Sequence, residues 1–154
     1  MRSRKRPEPV RRRGPDGYDV FLAHSSHDAD QVEAIAFALR RRGIRPWLDR
    51  WHLPPGRLFQ DALEEVLPRI RAVAVFVGRS GIGPWEHLEL RAAIGQFVKR
   101  GLPVIPVLLP GTPGAPTLPL FLQSFGWVRF GDLDDRAALD NLEFGITGRH
   151  PRTG

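Results

Sequence analysis

Apolar and polar positions follow two rhythms along the chain, and the switches between them mark the elements. Residues 18–23 (YDVFLA) form a short apolar run rich in strand formers. Asp28 follows as an N-cap for a helix running to about Arg42, with Val32, Ile35, Ala36 and Leu39 on one face, and Gly43 ends it. A second apolar run, 44–48, leads into a Pro/Gly-containing loop over 49–56. The helix predicted over 57–70 buries Leu58, Ala62, Leu63, Val66 and Leu67, with Pro68 placed to truncate it. Residues 72–77 (AVAVFV) are continuously apolar, as a strand covered on both faces should be. A glycine-rich turn over 78–83 follows, and Pro84 suits the first turn of a helix through Lys99. Residues 102–109 (LPVIPVLL) are apolar despite two prolines, which predicts a strand near a sheet edge. A Pro/Gly/Thr loop over 110–119, a short turn over 120–123, a strand within 126–130 and an amphipathic helix over 133–144 complete the order.

Strands and helices alternating at this spacing require right-handed crossovers and a parallel sheet. Five strands in one domain predict a flavodoxin-like three-layer α/β fold, with a five-stranded parallel sheet in the order 2-1-3-4-5 and helices on both faces. No internal repeat is visible beyond that alternation.

Composition narrows the classes. The 154 residues, 42% hydrophobic and 26% charged, suit one globular domain. The absence of cysteine excludes a disulfide scaffold, a thiolate zinc site, an iron–sulfur cluster and a cysteine nucleophile. No apolar run approaches the roughly 18–20 residues of a membrane span, and no signal-peptide core follows the N-terminal charges, so a cytoplasmic protein is expected. The net charge of +6 suggests a nucleic-acid partner until it is located. Seven of the 23 Lys/Arg and one of the 17 Asp/Glu fall within residues 1–13, leaving 16 of each elsewhere. The positive charge belongs to an arm that lacks the apolar periodicity to fold, and the domain itself is neutral. Such an arm could touch RNA, DNA or an anionic surface; a solubilising leader or linker is the plainer reading. The expected boundaries are a basic arm over 1–16, the domain over 17–146 and a frayed tail over 147–154.

In a sheet of this kind ligands bind outside the carboxyl ends of the strands, where the strand order reverses. Three loops qualify: 24–28, 49–56 and 78–85. Several chemistries fail there. No glycine is followed by Lys-Ser or Lys-Thr, and the glycines of 78–83 lack the dinucleotide-fingerprint order. Ser25 and Ser80 lack the nucleophile-elbow pattern. Val77-Gly78 stands where a receiver domain needs a phospho-accepting Asp. His24 and His27 lack further ligands at metal-site spacing, so no metal is expected. One carboxylate stands out. Trp85 and Glu89 are four apart, so a helix stacks an indole and a carboxylate on one face beside its N-terminus. Such a pair could hold a heteroaromatic ring and stabilise an oxocarbenium-like ribose. By spacing alone the plainer alternative stays open: Trp85 as core and Glu89 as a surface charge paired with Arg91 or Arg45.

Three ordered motifs then resemble a TIR (Toll/interleukin-1 receptor) domain of the bacterial type. Residues 18–28 (YDVFLAHSSHD) look like the family's opening strand and loop. Trp47-Leu48-Asp49 with Leu53-Pro54-Pro55-Gly56 is similar to its second strand and BB loop. Residues 72–80 and then 85–90 resemble its third strand and W-x-x-x-E-L helix start. The resemblance covers roughly residues 17–146 and implies the flavodoxin-like fold. For many bacterial, plant and some animal members it implies cleavage of NAD+ at the nicotinamide–ribose bond, by hydrolysis or cyclisation. Glu89 then aligns with the catalytic glutamate and Trp85 lines the pocket. His24, Ser25, Asp49 and Trp51 are implied dinucleotide contacts, and NAD+ is a substrate, with no cofactor expected. The resemblance also implies self-association or contact with other TIR domains through residues 49–56, a sensor elsewhere in a longer protein or in a separate chain, and a role in anti-phage defence or cell death. A non-catalytic TIR adaptor is the alternative that the resemblance allows. Ala23 where many members have Ser, the lack of arginine in His24-Ser25-Ser26, and the second acid Glu86 depart from the family pattern.

Overall fold

The structure is a computed structural model that describes residues 17–79, 88–112, 120–123 and 125–151. Five parallel strands, β1 (Val20–Ala23), β2 (Pro46–Trp47), β3 (Val73–Val77), β4 (Val104–Leu108) and β5 (Val128–Arg129), stand in the order β2-β1-β3-β4-β5. The order reverses between β1 and β3, as the alternation of elements predicts.

Every residue of β1, β3 and β4 is buried, because both faces of the sheet are covered. Successive side chains of β3 divide between two cores. Ala74 and Phe76 join a cluster with Val32, Ile35 and Leu39 of helix α1 (Ala29–Arg41), and with Leu139 and Leu142 of helix α6 (Arg136–Thr147). Val73, Val75 and Val77 meet Val66 of α3 (Phe59–Val66), Phe97 of α4 (Leu88–Lys99) and Leu122 of α5 (Leu120–Gln123). The period of two thus supplies both sides of the sheet from one apolar run.

Boundaries differ from the sequence pattern where backbone chemistry intervenes. β2 pairs over two residues of the predicted five, although Ile44 and Leu48 remain buried on either side. The loop expected over 49–56 opens with a helical turn, α2 (Asp49–His52), begun by an N–H of Trp51 donating to the Leu48 carbonyl. Pro68 ends α3 as an α-helix, and Leu67–Arg69 continues as a 3₁₀ turn. β4 is the second strand from the edge. Its Pro106 pairs in register with Val75 of β3, while β5 reaches only Val107 and Leu108. α6 starts at Arg136 and not at Leu133, because the Asp135 carboxylate caps the Ala138 N–H. It runs three residues past Phe144 to Gly148, whose φ of 77° provides the left-handed C-cap, and the His150 ring stacks on Phe144. The turn over 80–83 and the first residues of the helix predicted from Pro84 lie outside the described residues.

Candidate functional site

The segments after β1 and β2, and the described residues Gly78 and Arg79 after β3, lie at the carboxyl ends of the strands. His24, immediately after β1, is buried and spans two of them. Its Nδ1 donates to the Ser25 carbonyl at 2.8 Å and its Nε2 lies 3.0 Å from the Asp49 carboxylate. Both partners are acceptors, an arrangement that suits the doubly protonated ring, in which both nitrogens donate. Burial opposes that charge, but the Asp49 and Ser25 hydrogen bonds outweigh it and raise the His24 pKa. The same bond holds Asp49 below the ordinary carboxylate range against its own partial burial, and the Arg50 N–H donates to it at 2.7 Å. Ser25 is fully buried, and its Oγ accepts the His27 N–H at 3.1 Å.

Trp51 points elsewhere. Its indole N–H donates to Glu33 at 2.6 Å, its ring meets Phe37 at 4.9 Å, and the Arg40 guanidinium lies over it at 5.2 Å. Arg50 adds bonds to Asp30 and Glu33, so two consecutive residues clamp α2 onto α1. The structure therefore joins His24, Ser25 and Asp49 and directs Trp51 to the outer face of α1. Glu89 is the second residue of α4, in the helix that follows the carboxyl end of β3. Trp85 lies outside the described residues. The Arg45 guanidinium, one partner considered for Glu89, lies 4.7 Å over Tyr18, before the amino end of β1 and opposite the end from which α4 departs.

A second group was not among the predicted contacts. Asp28 occupies the N-cap position of α1, yet its side chain makes no capping bond. Its carboxyl is buried instead against Gly78, where a Cβ would stand 2.4 Å from Oδ1 and 2.7 Å from Oδ2. Oδ2 has no hydrogen-bond partner among the described residues. Desolvation raises the Asp28 pKa, partly countered by the charges of His24 and His27. The side-chain cap of this stretch comes one turn earlier, from Ser25, and the unpartnered Asp28 oxygen is a buried polar atom that costs about 1–3 kcal/mol. Beside it opens a cleft of about 370 Å³ lined by His27, Asp28, Gln31, Arg79 and Pro110. Arg79 is braced across its mouth, with Nε donating to the Gly111 carbonyl at 3.2 Å. The signal in the sequence was a glycine directly after the third apolar run; a turn explained it too easily. Among the described residues no three His, Cys, Asp or Glu side chains come together as a metal site.

The family model for the TIR domain matches residues 20–143. The chain belongs to the TIR domain family. It is 26% identical over 103 residues to the 2′ cyclic ADP-D-ribose synthase BtTIR of Bacteroides thetaiotaomicron, covering 66% of this chain and 34% of that protein. It is 28% identical over 92 residues to the NAD(+) hydrolase TcpA of Theionarchaea archaeon (strain DG-70-1), covering 58% of this chain and 28% of that one. The chain therefore spans about a third of the length of these curated relatives. Among solved structures, a metazoan TIR-STING receptor from C. gigas in complex with 2′,3′-cGAMP superposes with a TM-score of 0.73 at 20% identity, over 90% of this chain and 42% of that one. The TIR domain of the Toll-related receptor TRR-2 from Hydra magnipapillata gives 0.59 at 18% identity, over 82% and 95%. At these identities the structural likeness establishes the fold. Among the described residues no helix is long and apolar enough to cross a membrane.

Proposed function

We propose that this domain cleaves NAD+ at the nicotinamide–ribose bond, with Glu89 as the catalytic carboxylate and hydrolysis or cyclisation following. The observation that carries the reading is the pair of curated relatives, one named as a 2′ cyclic ADP-D-ribose synthase and the other as an NAD(+) hydrolase. The chemistry asks little of the protein. Nicotinamide leaves as a neutral molecule from a cationic ring, so no strong general acid is needed. A carboxylate beside the ribose stabilises the developing positive charge, and water or an adenine nitrogen captures the ribosyl carbon. Trp85 is the pocket-lining residue that the family resemblance implies. His24, Ser25 and Asp49 hold the first loop and α2 in place beside the substrate, and Trp51 fixes α2 to α1.

Activity depends on self-association through residues 49–56, with exposed Leu58 at the edge of that segment. A sensor elsewhere in a longer protein or on a separate chain brings copies together in the cytoplasm, and NAD+ depletion or a nucleotide product serves anti-phage defence or cell death. Nicotinamide release by clustered protein tests this. Wild type should release nicotinamide, and Glu89→Ala should reduce the rate on the order of 10²-fold or more. Equal turnover by that variant removes Glu89 from the mechanism. No consumption at any concentration, with self-association retained, leaves a docking module.

A further inference from the structure

Asp28 lies at the junction of the turn capped by Ser25 and α1, and its own side chain makes no capping bond. Its carboxyl packs on Gly78 so closely that a Cβ there would push it aside, one oxygen lacks a partner among the described residues, and it borders a cleft. A buried polar atom left unsatisfied beside an opening marks a position spent on something other than stability. The neighbours restrict what that is. A bare cation is disfavoured, since the lining holds one carboxylate beside Arg79 and His27. A bare phosphate suits Arg79 and the start of α1 but meets a carboxyl at the wall. A hydroxyl suits Asp28 in either protonation state, donating to the carboxylate or accepting from the acid.

A ligand carrying hydroxyls next to a phosphate satisfies every side. We propose that this cleft takes the ribose-phosphate portion of a nucleotide, with Asp28 on the sugar hydroxyls and Arg79 on the phosphate. A carboxylate on a ribose diol at the carboxyl end of a parallel sheet is a recurrent solution to this problem. The Arg79 Nε is committed to the Gly111 carbonyl, and the terminal guanidinium nitrogens are the donors it would offer the phosphate. The volume suits a phosphosugar; a whole dinucleotide would extend beyond it toward neighbouring loops. Identifying that nucleotide as NAD+ rests on the function proposed above; the cleft's preference for a phosphosugar does not.

The test uses the full chain with ribose 5-phosphate and inorganic phosphate as separate probes, read by calorimetry or protein-observed NMR. Ribose 5-phosphate should bind roughly tenfold more tightly than inorganic phosphate. Asp28→Ala should remove most of that preference while leaving phosphate binding unchanged, and Arg79→Gln should weaken both probes by roughly tenfold. Arg79 is exposed, so its variant reports on the cleft even where Asp28→Ala perturbs folding. In NAD+ turnover both variants should raise KM by roughly tenfold with a smaller change in kcat. Equal affinity for the two probes, or unchanged affinity in both variants, overturns the proposal. Phosphosugar binding that depends on Asp28 and Arg79, without NAD+ consumption, sustains the cleft and defeats the NAD+ reading. NAD+ consumption with an unaltered KM in both variants does the reverse.

Discussion

Two carboxylates sit at the same end of the sheet and are treated in opposite ways. Asp49 is held through one oxygen: His24 and the Arg50 N–H both meet its Oδ1, and the residues that follow anchor α2 to α1. Asp28 is buried and only partly satisfied, pressed against Gly78 at the wall of a cleft. The first arrangement fixes loops relative to one another. The second sacrifices local stability and leaves hydrogen-bonding capacity for a ligand. Proximity to the crevice therefore does not separate positioning residues from binding residues; the state of their hydrogen bonds does.

The contrast can be broken at Gly78 with the largest effect. Gly78→Ala puts a methyl against the Asp28 carboxyl, which must turn aside, and should destabilise by about 1–3 kcal/mol in a denaturant melt. In the Asp28→Ala background the same change should cost much less, and the non-additivity measures the contact. On the satisfied side, His24→Gln should cost about 1–2 kcal/mol, tempered by the exposure of Asp49. That loss carries a pH signature. The folded His24 pKa is raised, so its contribution is complete below the ordinary histidine value of 6.5 and fades as pH rises through the higher folded value. Asp49 has a lowered pKa, so the pair is also lost when pH falls through that depressed value, below the ordinary 3.8. The stability gap between wild type and His24→Gln should therefore be widest between these limits.

Asp28→Asn sharpens the comparison with the opposite sign. The folded pKa of Asp28 is raised, so its ionisation costs stability as pH climbs through that value. The amide should stabilise the protein by about 1 kcal/mol at neutral pH, with the gain shrinking in acid. Trp51→Phe should have the smallest effect, about 0.5–1 kcal/mol, because it removes the Glu33 bond and keeps the ring on Phe37. A thermal melt at two pH values separates all four variants.

The fold was legible because its strands are buried on both faces, and runs such as AVAVFV admit few other readings. The strand order followed from alternation and crossover handedness. The short extent of β2 was not legible, because Ile44 and Leu48 are buried for packing without ladder bonds, and hydrophobicity alone does not distinguish the two. The helical turn α2 escaped for a related reason: its hydrogen bonds come from Leu48 and Asp49, and its aromatic anchor looks like a loop residue. The convergence of His24 and Asp49 followed from placing both at strand carboxyl ends. The orientation of Trp51 depended on Glu33 and Phe37, 18 and 14 positions away, which no local pattern connects. Asp28 was read from its position as a cap; that it turns to Gly78 instead is a tertiary choice visible only when β3 is placed beside β1.

The most direct measurement of the central claim is an NMR titration of the Glu89→Ala chain with NAD+, so that the dinucleotide is bound without being consumed. Binding in the cleft should shift the amides of His27, Asp28 and Gln31 and the Arg79 guanidinium most, with little change at the Trp51 indole. Shifts concentrated on Trp51, Glu33 and Arg50, with Asp28 and Arg79 silent, would contradict it.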